Sequence, residues 1–159
     1  VNSFWSSAGH HNIGRRVLED TPEWHHVVTV VTEDRLRSYV DGQPDGDCAF
    51  ANPGPSLRSD SHMCLGSWQW AAEQHQFVGR LKQVMIWNHA LSPADVAAVH
   101  ERLRRTHALH QTHAEHRPAT ASSGPCHGWL LTEEMGQDPY GGLHLHPQGQ
   151  PEWKGTYAE

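Results

Sequence analysis

The sequence predicts an all-β, antiparallel fold closed by one short helix, and three observations carry that prediction. Residues 24–42, WHHVVTVVTEDRLRSYVDG, set a β-branched run and a second, two-faced strand either side of a charged reversal. Residues 63–70 and 77–87 then resume strand character, and a single change of period, after Asn88, marks the helix.

Taken in order, residues 1–7 hold a short strand with Val1, Phe4 and Trp5 as its apolar content. Gly9, Gly14 and Pro22 make 8–23 a loop with at most one short strand, at Val17-Leu18. The adjacent pairs His10-His11 and His25-His26 read as polar strand edges. Neighbours in a strand point to opposite faces, so neither pair is a two-ligand metal clamp.

In the hairpin, Val27, Val28, Val30 and Val31 form the first strand, and Glu33-Asp34 the reversal. Leu36, Ser38 and Val40 share one face of the second strand and Arg35, Arg37 and Tyr39 the other, which predicts one covered side and one wetter side. Asp41-Gly42 supplies the next turn, because Gly tolerates positive φ and Asp bonds its own backbone.

Residues 43–62 carry Pro44, Gly46, Asn52, Pro53, Gly54 and Pro55 and are expected to be a long loop. The oxygens of Asp45, Asp47, Asn52 and Asp60 are candidate ligands for a hard cation such as Ca²⁺. The simpler reading is turn chemistry, since no spaced acidic signature is present. Cys48 and Cys64 flank this stretch and pair if the compartment is oxidising, leaving Cys126 over.

Phe77, Gly79 and Leu81 have one parity and Val84 and Ile86 the other. Either a bulge lies between Leu81 and Val84, or both faces of that strand are covered. Ser92-Pro93 is an N-cap followed by proline at the first helical position, with Asp95 in the first turn. Val96, Val99 and Leu103 recur at helical spacing. The period runs on through His107, His110, His113 and His116, where two imidazoles with Glu115 would suit a transition metal and a surface row of histidines is the commoner arrangement. After linker composition at 117–125, residues 126–159 are expected to be a mostly unstructured tail, in which only His144 and His146 would share a strand face. The organisation expected is therefore 1–105 as the β domain, 106–125 as a His-rich helical extension and linker, and 126–159 as the tail.

Charge excludes one partner class. With 12 basic against 18 acidic residues and no basic run, the chain lacks a nucleic-acid footprint. Its 15 histidines make the net charge of −6 sensitive to mild acid. No apolar run is long enough to span a membrane, and no signal-peptide pattern opens the chain.

WHHVVTVV with LRSYVDG, then CLGSW, then FVGRLKQVMIWNHALSPADVAAVHERL, resembles the second half of a laminin-G-like domain of the concanavalin A-like, pentraxin-type class. The resemblance runs from Trp24 to Leu103 and rests on the order of the motifs. It implies an antiparallel jelly-roll β-sandwich, incomplete at its start, with an extracellular or cell-surface recognition role. Family members carry several strands before the hairpin, so the edge beside 77–87 is expected to be bare and prone to self-association.

The resemblance favours a non-catalytic module that binds a carbohydrate or an extracellular protein, assisted by Ca²⁺ at a loop rim. Tyr39, Trp68 and Trp70 are its candidate stacking rings, although a tryptophan more often serves a core. Two rival readings stand beside it. A structural spacer or degenerate remnant would bind nothing. A glycoside hydrolase of the same class would need paired carboxylates, and the Glu-x-Asp-x-x-Glu strand motif of those enzymes does not occur in the chain. HExxH and GxSxG are absent as well.

Overall fold

The computed structural model describes residues 2–6, 9–14, 23–50, 77, 79–108 and 127–130. The chain divides into two compact units, one made of Val1–Ser59 with His89–Gly124 and the other of Asp60–Asn88 with Pro125–Glu159.

The first unit is built on an antiparallel meander. Strand β3 (Val27–Val31) pairs with β4 (Arg35–Val40), and β4 pairs with β5 (Gln43–Ala49). The expected hairpin is present at the expected residues. Its reversal is held by Thr32, whose hydroxyl donates to Asp34 Oδ1 at 2.8 Å and accepts the Arg35 amide at 3.1 Å. Asp41 and Gly42 have φ of 53° and 76°, so both central residues of the second turn are left-handed, as a two-residue hairpin turn of the right twist requires.

Strand β5 replaces the first seven residues of the long loop expected over 43–62, of which 51–62 lie outside the described residues. Pro44 and Gly46 are poor strand formers, but the register with β4 shifts between Ser38 and Tyr39, opposing Gly46 to the first and Pro44 to the second. Asp45 is thus the extra residue of a β-bulge. Gly46 has a tertiary reason to be glycine: a Cβ there would lie 2.5 Å from the Gly14 amide nitrogen.

Ahead of the meander stand β1 (Asn2–Ser6) and β2 (Gly9–Ile13), an antiparallel pair in register from Asn2 opposite Ile13 to Ser6 opposite Gly9. The second of these strands corrects the loop expected from Gly9. Its polar content, GHHNI, masks it in the sequence, because backbone pairing with β1 does not depend on apolar side chains. Val17-Leu18 lies outside the described residues.

Helix α1 (Pro93–Ala108) completes the unit. Its N-terminus is a reciprocal cap: the Asp95 amide donates to Ser92 Oγ at 3.2 Å, and the Ser92 amide donates to Asp95 Oδ2 at 3.1 Å. The core joins sheet and helix, with Val30, Leu36 and Val40 buried from the strands and Leu91, Val96 and Val99 from the helical segment. Each such side chain withdrawn from water contributes about 1.5–3 kcal/mol before the entropy of ordering is set against it.

In the second unit, β6 (Gln83–Ile86) pairs antiparallel with β7 (His127–Leu130), Gln83 opposite Leu130 and Ile86 opposite His127. The strand expected over 77–87 therefore begins only at Gln83. No bulge is needed between Leu81 and Val84, and all four residues of β6 are half-buried, so both its faces are partly covered. One side of the edge expected to be bare carries β7, which comes from the stretch read as a tail.

Candidate functional site

The bulge in β5 splits the acidic residues at the start of the proposed binding loop. Asp45 is turned inward, 8% exposed, whereas Asp47 faces out and accepts a hydrogen bond from Arg35 Nε at 3.0 Å. The two carboxylates are not brought together as a pair. Among the described residues no group of three or more His, Cys, Asp or Glu side chains is gathered as a metal site would need. Asn52 and Asp60 lie outside the described residues, as do Trp68, Trp70 and Cys64. Cys48 Sγ rests 3.5 Å from the Ala49 carbonyl oxygen.

Tyr39 is described, and it corrects the reading of its ring as a stacking platform. The residue is 3% exposed, buried like its neighbours Ser38 and Val40. A ring without an open face cannot stack on a sugar. Tyr39 is scaffold.

A tighter constellation forms where the chain approaches β3. The Asp41 carboxylate, at the tip of the β4–β5 turn, accepts His25 Nδ1 at 2.9 Å on one oxygen and the His26 amide at 3.0 Å on the other. The Asp41 amide returns a bond to the His26 carbonyl at 2.9 Å. Asp41 makes these bonds from a left-handed backbone, a conformation that aspartate tolerates. From the far side, α1 brings His100 onto the same joint. The His26 and His100 rings stack with centroids 5.8 Å apart and 22° between their planes, and a Cβ on Gly42 would meet the His100 side chain at 3.2–3.3 Å.

The electrostatics of this joint are uneven. Burial pushes the Asp41 carboxyl up, but the bonds from His25 and His26 outweigh it and hold the group below its ordinary range. His26 moves the other way from a normal histidine: burial, then the neighbouring His100, lower it from 6.5 to about 4 against the opposing pull of Asp41. Nδ1 of His26 and Nδ1 of His100 are both closed to solvent and have no hydrogen-bond partner. On the outer face of α1, bonds from Arg104 and Arg105 draw Glu101 down to about 2.

The sequence shows the His25-His26 pair and the Asp-Gly turn, but not that they meet, and His100 stands out only as a histidine followed by a glutamate. Their separation along the chain hides the joint. The one available signal is a polar pair set directly before an apolar strand, which asks for buried partners. Of the expected histidine ladder, α1 reaches only His107, and the rest lies outside the described residues.

Among the described residues no helix is long and apolar enough to cross a membrane. The laminin-G family model, described as the concanavalin A-like lectin/glucanases superfamily, matches residues 3–97, more than half of the 159-residue chain. The matched span lies in the N-terminal part of the chain and takes in β1 and β2, so a resemblance confined to the C-terminal half of the domain is too narrow. No curated protein and no solved structure matches the chain.

Proposed function

Because the chain belongs to the laminin-G family of the concanavalin A-like lectin/glucanase superfamily, we propose that it is a non-catalytic recognition module that takes a glycan or protein ligand within a larger extracellular or cell-surface protein. The family match over residues 3–97 carries this reading. The described geometry is compatible with it: a meander with Val30, Leu36 and Val40 buried supplies a base of the kind on which binding residues are carried. Trp68 and Trp70 are the proposed stacking rings, and Asp47, Asn52 and Asp60 the proposed oxygen donors for an assisting Ca²⁺.

Catalysis has less support, because the chain lacks the spaced carboxylate motif that hydrolases of this class use. A glycan array probed with the full chain, with and without Ca²⁺, tests the reading alongside a panel of extracellular matrix proteins. Reproducible binding that is lost in Trp68→Ala or Trp70→Ala is expected. Silence on both surfaces, with and without Ca²⁺, makes the domain a spacer, and turnover of a bound glycan makes it an enzyme.

A further inference from the structure

We infer that the stacked His26–His100 pair is an acid-sensitive latch, which holds helix α1 against the approach to β3 at neutral pH and loosens as the pH falls. The argument begins with hydrogen-bond inventory. A neutral imidazole carries one N–H, so a ring can be buried with its Nδ1 unpartnered at modest cost. An imidazolium carries a proton on both nitrogens. Whatever the resting tautomer, charging His26 therefore sets an Nδ1–H into a closed site where no acceptor meets it.

The stacking makes the cost shared. With ring centroids 5.8 Å apart, a charge on one ring opposes a charge on the other across a partly dry contact. Three further titratable groups lie near the pair. Asp41 attracts a proton toward His26, but both its oxygens are engaged, one by His25 Nδ1 and the other by the His26 amide. His25 stands on the far side of that carboxylate and adds no acceptor. Glu101, next along the helix, is held by Arg104 and Arg105. His26 accordingly resists protonation until about pH 4, chiefly through burial and then through His100.

The direction follows from linkage. Since the folded value lies below the ordinary 6.5, the docked form binds fewer protons than the released form between those limits. Docking is fully favoured above about pH 6.5 and weakens as pH falls toward 4. Because the two rings belong to elements far apart in sequence, their release frees the helix and the turn at Gly42, against which His100 rests.

The test uses the full chain and amide hydrogen exchange in α1, expressed as protection factors so that intrinsic exchange cancels. Wild type is expected to lose roughly 100-fold of protection between pH 7 and pH 4, as a shift of this size implies. His26→Phe, which keeps a flat ring and removes the titration, should flatten that slope. Equal slopes in the two proteins would overturn the latch. If the variant does not fold, the ring signal of His26 followed by NMR in wild type decides alone: titration near pH 4 supports the latch, and titration at the ordinary 6.5 removes it.

Discussion

His25 Nδ1 donates to Asp41 Oδ2 at 2.9 Å across 16 positions of sequence, and that bond fastens the approach to β3 onto the turn that ends β4. The same carboxylate takes the His26 amide, so one side chain closes two bonds while its own backbone is left-handed. Asn tolerates that backbone but cannot offer two anionic oxygens, whereas Ala offers neither the conformation nor the acceptors. Asp41→Asn is expected to cost about 1 kcal/mol and Asp41→Ala about 2–3 kcal/mol, the partial exposure of the site keeping both modest. Urea midpoints at a shared slope measure the order, and an Asn variant as unstable as Ala would show that the carboxylate charge, and not the turn, is what matters.

The contrast between what the residues announce and what they conceal is instructive at this joint. The β3–β4 hairpin and the Asp41-Gly42 turn are legible because their causes are local: a continuous β-branched run before a charged reversal, and a dipeptide that accepts positive φ. The helix start is legible for the same reason, in Ser92-Pro93 and Asp95. Strand β5 is not, because Pro44 and Gly46 argue against a strand until the bulge and the neighbouring Gly14 backbone explain them. The burial of Tyr39 escapes notice likewise, since alternation groups it with the half-buried Arg35 and Arg37 on the side read as wetter. Nothing local marks His100 as the partner of His26.

Gly46→Ala tests the close approach of β2 and β5. The added methyl would sit 2.5 Å from the Gly14 nitrogen and 3.1 Å from its Cα, and these are backbone atoms that cannot swing aside. The two segments must separate, at an expected cost of about 2–3 kcal/mol. Denaturation with urea checks the figure. A cost below about 0.5 kcal/mol, typical of an unconstrained surface site, would mean that the segments do not meet this closely.

Ser92→Ala removes one half of the reciprocal cap. The Asp95 amide loses its acceptor, and the Asp95 carboxylate loses a hydroxyl that donates to it at 2.6 Å. A loss of about 1 kcal/mol is expected. Bonds from the Ser92 hydroxyl and amide hold the Asp95 carboxyl below its ordinary 3.8. Its folded value being depressed, the cap's contribution is present above about pH 4 and is lost as pH falls below it. The stability difference between wild type and Ser92→Ala should therefore shrink in strong acid; a difference that is constant from pH 7 to pH 3 would separate the cap from the carboxylate.

Leu36 carries the last prediction, because it sits on the central strand of the meander and is 0% exposed. Its neighbours on β3 and β5 are fixed by backbone pairing, Val31 on one side and Cys48 on the other, so the sheet cannot close readily over a missing side chain. Truncation to Ala forfeits the transfer energy of the lost methyl and methylene groups and leaves most of the cavity, for an expected cost of about 3 kcal/mol or more. Val27→Ala is the matched control, also on the sheet but 42% exposed, and is expected to stay within about 0.5 kcal/mol. The two variants differ mainly in whether water already reaches the site. Comparable midpoints for both would mean that the face of β4 carrying Leu36 is not the buried one, and the pairing that places Ser38 and Val40 on that face would fall with it.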